Sequence, residues 1–375
     1  QHNSKSNIML RKYPFIKWSL ISLISFVFLV VGFGWWFMSL LPSKEEYPDL
    51  STVAPESLPY LLQDVPTPRG KILVVVTSAE TMGASGKSTG YELTELSRAY
   101  YVFQANGFEV DSSSPKGGEP RVVIDDEDMG IYDYAFLNDS LAQLKTRNTI
   151  PVKEVEAENY RAVYFVGGKG AMFDFPDNKY IQSLIRDLYQ TGGVVGAVCH
   201  GPAALVNVTL DDGHHLLENK PVSGFTNEEE LLLIPDAKSI FPFLLQDKLT
   251  EQGALFEQGS MYLEQVSVND RLVTGQNPWS TWKLAETMIA QLGYAPKPRQ
   301  ITPEENAVDV LNVFESKGTA EAKALIKSMK LEEKKEIERI LIAKHSVIAA
   351  MQGDIGRFFR LVRLTSYAKK MDNSF

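Results

Sequence analysis

Cysteine is nearly absent from this chain: Cys199 is the only one in 375 residues. A single thiol excludes an intramolecular disulfide framework and a zinc site built on thiolates. Histidine is scarce as well. The five present (His2, His200, His214, His215 and His345) show no H-E-x-x-H spacing, so that helical zinc signature is missing. The pair His214-His215 lies in the polar run DDGHHLLENK and reads as surface loop. No metal site is expected. Positive charge is also in deficit. The formal net charge is −9, which argues against nucleic acid as a partner.

One stretch lacks charge altogether. Residues 18–41, WSLISLISFVFLVVGFGWWFMSLL, run for 24 residues without a charged side chain. As a helix they would measure roughly 36 Å, enough to cross a hydrocarbon core of about 30 Å. Trp18 at one end and Trp35-Trp36 at the other suit the two interfaces of a bilayer. A cleaved signal peptide would have a shorter apolar run and a small-residue cleavage site. We therefore expect a transmembrane helix in contact with lipid. Arg11, Lys12 and Lys17 precede the span and SKEEYPDL follows it, so the positive-inside rule places the tail 1–17 in the cytoplasm. Everything after residue 42 is then expected on the extracytoplasmic side. Prolines 42, 48, 55, 59, 66 and 68 crowd residues 42–70, a density that disfavours helix and sheet and predicts a semi-extended linker.

From 71 to 296 apolar β-branched runs alternate with helical patterns. KILVVVTS (71–78), FEVDSSSP (108–115), YRAVYFVGG (160–168), VVGAV (194–198) and RLVTG (271–275) read as strands. ELTELSRAYYVFQANG (92–107), IQSLIRDLYQTGG (181–193) and WSTWKLAETMIAQLG (279–293) read as helices. That alternation predicts an α/β fold, a flavodoxin-like parallel sheet sandwiched by helices. Ligand sites in such sheets form beyond the carboxyl ends of the strands. Residues 297–375 contain no strand pattern and predict an α-helical extension, opened by Thr302 as N-cap and Pro303 at the first helical position. The final segment RFFRLVRLTSYAKK (357–370) is basic and amphipathic, and suits either an anionic lipid surface or packing on protein.

The one thiol falls in GAVCHGPAAL (196–205), where the pattern predicts a strand turning sharply into a helix at PAALVNV. A helix N-terminus lowers a thiol pKa and favours the nucleophilic thiolate. The layout follows the logic of the G-x-S-x-G elbow, in which the N–H after the nucleophile helps hold an oxyanion. A buried free cysteine acting as a small hydrophobe fits the same position. A second glycine-rich turn, FVGGKGAMFDFPDN (165–178), follows another strand, and Gly167, Gly168 and Gly170 allow close backbone approach there. Carboxylates are available at Glu92 and Glu95, and at Glu228, Glu229 and Glu230 in SGFTNEEE. Residue chemistry alone does not choose among them.

Taken in order, KILVVVTSAE, STGYELTELSRAYYVFQANGFEVDSSSPKGG, YRAVYFVGGKGAMFDFPDN, GGVVGAVCHGPAAL, VSGFTNEEE and LVTGQNP resemble the PfpI/ThiJ superfamily, the class I glutamine amidotransferase-like fold. They are most similar to its branch of heat-shock chaperones and glyoxalase III-type enzymes, over roughly residues 71–293. The resemblance implies that Cys199 is the nucleophile, that Glu95 shares a proton with the thiol, and that His200 is the general base. It implies Glu230, with Glu229 next, as the acid orienting the histidine, and Gly168 with His200 as oxyanion N–H donors beside Gly167. Lys169 departs from the Gly-Gly-His-Gly that this branch often carries, which puts the substrate in question. The implied activity is cofactor-independent conversion of a small aldehyde such as methylglyoxal to a 2-hydroxy acid, without metal, nicotinamide or glutathione. The superfamily also suggests a holdase chaperone, a cysteine amidase or peptidase, and a homodimer. Thiol chemistry separately suggests a membrane-tethered sensor in which Cys199 is oxidised reversibly.

Overall fold

The computed structural model describes residues 14–43, 48–125 and 128–372. Residues 1–13 and 44–47 lie outside the described set, so the orientation expected from Arg11, Lys12 and the flank after the span has no structural counterpart here. The chain divides into two compact units, one of residues 49–316 and the other of 1–48 with 317–375.

In the first unit, seven strands among the described residues pair into one sheet. In chain order they are β1 (Lys71–Val75), β2 (Glu109–Ser114), β3 (Ile150–Pro151), β4 (Ala162–Phe165), β5 (Val194–Val198), β6 (Val266–Asn269) and β7 (Leu272–Gly275). Their spatial order is β6-β7-β5-β4-β1-β2-β3. All neighbouring pairs are parallel except β6 with β7. The central strands read KILVV, AVYF and VVGAV and are buried along almost their whole length. That is the pattern of a parallel sheet with helices on both faces. The chain runs from β1 out to β2 and β3 and then returns to β4 on the other side of β1. This reversal opens a crevice at the carboxyl ends of β1 and β4.

Helix Leu93–Ala105 is buried on nearly all sides because it lies between the sheet and a second layer. Its Phe103 meets Tyr164 of β4 edge-on at 5.8 Å, while Tyr100 meets Phe136 at 5.2 Å. Helix Thr281–Gln291 covers β5 and β7 with Leu284, Ala285 and Met288, all fully buried.

The proline-rich stretch differs from the expected tether. Pro55 and Pro59 each open a short helical turn, at the position where a missing N–H costs nothing. Leu58 and Tyr60 are buried in the core of the unit. Asn138 Nδ2 donates to the carbonyls of Ser51 and Val53 at 2.8 and 2.7 Å. Two buried apolar side chains outweigh the extended preference of the prolines, so the unit begins at residue 49 rather than 71. It also reaches past residue 296. Arg299 pairs with Glu286 at 2.9 Å and with Glu305, and its guanidinium lies 4.0 Å from the Trp282 ring centroid. Thr302 and Glu305 close a reciprocal cap at the start of helix Pro303–Lys317.

The second unit holds helix Pro14–Met38, followed in sequence after residue 317 by helices Thr319–Leu331, Arg339–Met351 and Ile355–Asp372. Within the first helix, Trp18–Met38 has a mean hydropathy of 2.2 and none of it is buried in protein. It is long and apolar enough to cross a membrane, as an anchor or a signal sequence. The last helix buries Leu361, Val362, Leu364, Thr365 and Ala368, so one face of the basic amphipathic segment packs on its neighbouring helices.

Candidate active site

Strand β5 ends at Val198, and the next residue turns into left-handed space: Cys199 has φ +59°. A non-glycine residue there is strained by roughly 1–2 kcal/mol, so the surroundings must hold it in place. They do so from both sides. The Cys199 N–H donates to Gly275 O of β7 at 2.9 Å, and its carbonyl accepts from Phe225 N at 2.8 Å. The segment after His200 is a five-residue 3-10 turn, Gly201–Leu205, rather than the expected α-helix. A side chain at Gly201 would collide with the Phe165 carbonyl, and Asn207 at φ +64° ends the run. A helix macrodipole therefore contributes little to the thiol, and burial works in the opposite direction. Burial first, then the neighbouring Glu95 carboxyl, push the Cys199 thiol well above its ordinary range. The expectation of a thiol acidified by a helix N-terminus is corrected: Cys199 is only 5% exposed and no α-helix starts there.

Glu95, in the first turn of helix Leu93–Ala105, is completely buried. Burial and then the charge of Glu92 drive its pKa well above the usual carboxylate value. Its Oε2 accepts from Gly167 N at 2.7 Å, whereas Oε1 has no hydrogen-bond partner of its own. Two acidic groups buried against each other cannot both ionise, so the pair Glu95–Cys199 holds at least one proton. Gly167 is a glycine because a Cβ there would meet Glu95 Oε2 and would stand 2.8 Å from Cys199 Cβ. Its N–H is committed to Glu95, so Gly167 positions that carboxyl. Gly168 takes φ +97° to turn away from β4. The N–H groups of Gly168 and His200 find no acceptor among the described residues.

His200 joins the thiol to a second acid. Its Nδ1 is 3.4 Å from Cys199 Sγ, and Nε2 is 2.5 Å from Glu230 Oε2. The ring lies 4.6 Å from Phe225 and 6.1 Å from Phe241, centroid to centroid, which fixes its plane. Burial would raise the Glu230 pKa, but the His200 ring and Lys169 outweigh it and hold the group below the ordinary value. Glu229 plays a different part. Its Oε2 accepts from Thr226 N and Oγ1 at 3.0 Å each, closing a capping box on helix Asn227–Leu233. Its Oε1 accepts from Tyr262 N, Gln276 Nε2 and Asn277 Nδ2. The choice between the two acids therefore falls on Glu230. The T-x-x-E spacing of Thr226 and Glu229 carries that distinction in the sequence, since it marks Glu229 as the capping residue.

Lys169 is half-buried, and its positive charge reaches Cys199, Glu230 and Glu92. Glu92, the carboxylate that the sequence offers beside Glu95, is pushed up to about 7 by burial. Phe225, Phe241 and Gly275 are not singled out by the sequence. His214 and His215 stand apart from this site, His214 being exposed and 2.8 Å from Glu218. Cys199, His200, Glu95, Glu230 and the Gly167-Gly168 turn are thus brought together at one end of the sheet.

The DJ-1/PfpI family pattern matches residues 87–227, which include Glu95, Gly168, Cys199 and His200. The chain is 32% identical over 234 residues to a protein of Candida albicans named glyoxalase 3, covering 59% of this chain and 97% of that one. It is 33% identical over 237 residues to the glutathione-independent glyoxalase HSP31 of Saccharomyces cerevisiae, covering 59% and 98%. Among solved structures, Rapid Encystment Protein 24 kDa of Francisella tularensis is 34% identical, with a TM-score of 0.56 over 60% of this chain and 99% of that one. Glyoxalase III of Candida albicans is 28% identical, with a TM-score of 0.53 over 59% and 97%. Nearly the whole of each relative is matched, and about two-fifths of this chain has no counterpart in them.

Proposed function

The chain belongs to the DJ-1/PfpI family, and from that premise we propose that it is a membrane-anchored, cysteine-dependent glyoxalase of the glutathione-independent type. Its substrate would be a small 2-oxoaldehyde such as methylglyoxal, and its product the 2-hydroxy acid. The observation that carries this reading is the buried chain Glu95–Cys199–His200–Glu230, with 3.4 Å and 2.5 Å contacts about the histidine.

The chemistry follows from those positions. Cys199 sulfur attacks the aldehyde carbon, and the aldehyde oxygen takes up the proton held by the Glu95–Cys199 pair, giving a hemithioacetal. The N–H groups of Gly168 and His200 stabilise the oxyanion as it forms. His200 then removes the proton from the former aldehyde carbon and returns one to the adjacent carbon, which leaves a thioester and an alcohol. Glu230 stabilises the imidazolium while the proton is on the ring. Water cleaves the thioester, releasing the 2-hydroxy acid and restoring the thiol. Hydrogen moves only as a proton, so neither nicotinamide nor glutathione enters the balance. A site in which Cys199 and His200 are 5% and 2% exposed admits a three-carbon aldehyde far more readily than a folded polypeptide, which favours this reading over a peptidase.

On this reading residues 18–38 are a single-pass anchor with residues 1–17 in the cytoplasm, and unit 49–316 acts on the opposite side, either alone or as a homodimer. The test is lactate formation from methylglyoxal by the full chain in detergent, with no thiol cofactor added. Wild-type turnover with none from Cys199→Ala is expected. Equal rates for the two proteins would refute the assignment.

A further inference from the structure

The two units carry opposite charge. Residues 49–316 hold 20 Lys and Arg against 38 Asp and Glu, a net of −18. Residues 1–48 with 317–375 hold 18 against 9, a net of +9. The basic unit is also the one that contains the apolar helix Trp18–Met38.

Its last helix bears most directly on what this charge meets. Near its start, Phe358 and Phe359 meet Phe33 of the apolar helix at 6.0 Å (tilted) and 6.2 Å (edge-on), one turn before Phe37 and beside Trp36. Farther along, Lys369 Nζ donates to Ser39 O, just past the end of the apolar helix. The last helix therefore starts beside Phe33, within two turns of the end of the span and next to Trp36, and runs outward past that end, so its first turns border the level where a bilayer interface would fall. The corner between the last two helices is apolar and uncovered: Val347, Met351, Ile355 and Phe359 are 46–57% exposed. On the same outward stripe of the last helix stand Arg360 and Arg363, both exposed and without an ion pair among the described residues. By contrast Arg339 is tied to Asp372 at 3.0 Å at the far end. Apolar side chains beside unpaired arginines, continuous with a lipid-facing helix, form the arrangement of an interfacial amphipathic element.

We propose that the corner Val347–Arg363 is a second membrane contact, seated in the interface beside the anchor, with its arginines recognising anionic phospholipid. The contact rests on the anchor reading of residues 18–38 and is independent of the catalytic proposal. Lipid covers the exposed phenylalanine, methionine and isoleucine, and the headgroup phosphates pair with Arg360 and Arg363. The helical unit is thereby held against the bilayer on two elements instead of swinging from one.

The full chain, carrying Phe359→Cys in a Cys199→Ser background and labelled with an environment-sensitive fluorophore, is reconstituted in nanodiscs of phosphatidylcholine, with or without phosphatidylserine. Met351→Cys serves as a second probe position should the first fold poorly. Quenching by spin-labelled lipid is read at the fluorophore, and quenching of Trp18, Trp35 and Trp36 reports the anchor separately. Strong quenching at the probe is expected, greater with phosphatidylserine. Arg360→Glu with Arg363→Glu should cut the anionic preference, each arginine near an anionic surface being worth about fivefold. A quenched anchor with an unquenched probe overturns the proposal and leaves the anchor standing. Quenching that is equal in both lipids overturns the anionic recognition. An unquenched anchor removes the basis of both.

Discussion

Replacing Glu230 with Gln preserves the shape of the side chain and removes only its charge. The carboxylate sits 2.5 Å from His200 Nε2, and the histidine is 2% exposed, so solvent screens the pair little. A hydrogen bond to a charged group contributes about 1.5–3 kcal/mol, and a neutral amide retains roughly half of that. If His200 carries the transferred proton, the lost stabilisation falls on the imidazolium and hence on the barrier. The lost half, about 0.8–1.5 kcal/mol, at about 1.4 kcal/mol per tenfold should lower kcat/KM for methylglyoxal by about 4- to 12-fold, with KM little changed. The pH dependence has a definite sign. Glu230 is held below the ordinary carboxylate value, so the interaction is intact above that value and is lost as pH falls through the lowered one. Purified variants assayed for lactate between pH 5 and 8, with circular dichroism to confirm the fold, make the comparison. A Glu230→Gln enzyme indistinguishable from wild type across that range would refute the idea that this acid supports the proton transfer.

Three further outcomes follow from the same geometry. Glu229→Ala removes the acceptor of Tyr262 N, Gln276 Nε2 and Asn277 Nδ2, and should cost about 2–4 kcal/mol in urea melts, where Glu230→Gln costs under about 1 kcal/mol. Glu92 has a folded pKa of about 7 against an unfolded 4.5, so wild type should lose stability as pH rises from 4.5 to 7, and Glu92→Gln should regain about 1–3 kcal/mol at pH 8 and nothing at pH 4. Gly167→Ala should abolish turnover and lower the melting temperature, because the added methyl would stand 2.8 Å from Cys199 Cβ; near-wild-type activity would show that the close approach at the thiol is not needed.

Much of the α/β unit is legible in residue order because the signals are local. KILVV, AVYF and VVGAV are continuous, mostly apolar runs rather than alternating ones, and each lies in the parallel sheet buried on both faces. The matching residues Glu95, Cys199 and His200 come from a helix start and an elbow whose spacing survives in the sequence. What was not legible depends on long-range packing. The stretch 49–70 reads as a proline tether until Leu58 and Tyr60 find the core. Strand β6, SVN with a single valine before it, is too short and polar to announce itself, and forms because β7 offers an antiparallel edge. The aromatic cradle of Phe225 and Phe241 around His200 comes from segments 25 and 41 residues downstream of it. The thiol environment was misjudged for a related reason: a helix dipole can be guessed from sequence, but the burial that opposes it cannot.

The central claim is that Cys199 bonds to the substrate carbon. Acid-quenching the full chain within its first turnovers on methylglyoxal and mapping the Cys199 peptide by mass spectrometry tests this directly. The account predicts a lactoyl thioester on Cys199 in the wild type and its absence in His200→Ala, where the proton cannot move between carbons. Lactate formed at an undiminished rate with Cys199 never modified, or by Cys199→Ala, would contradict it.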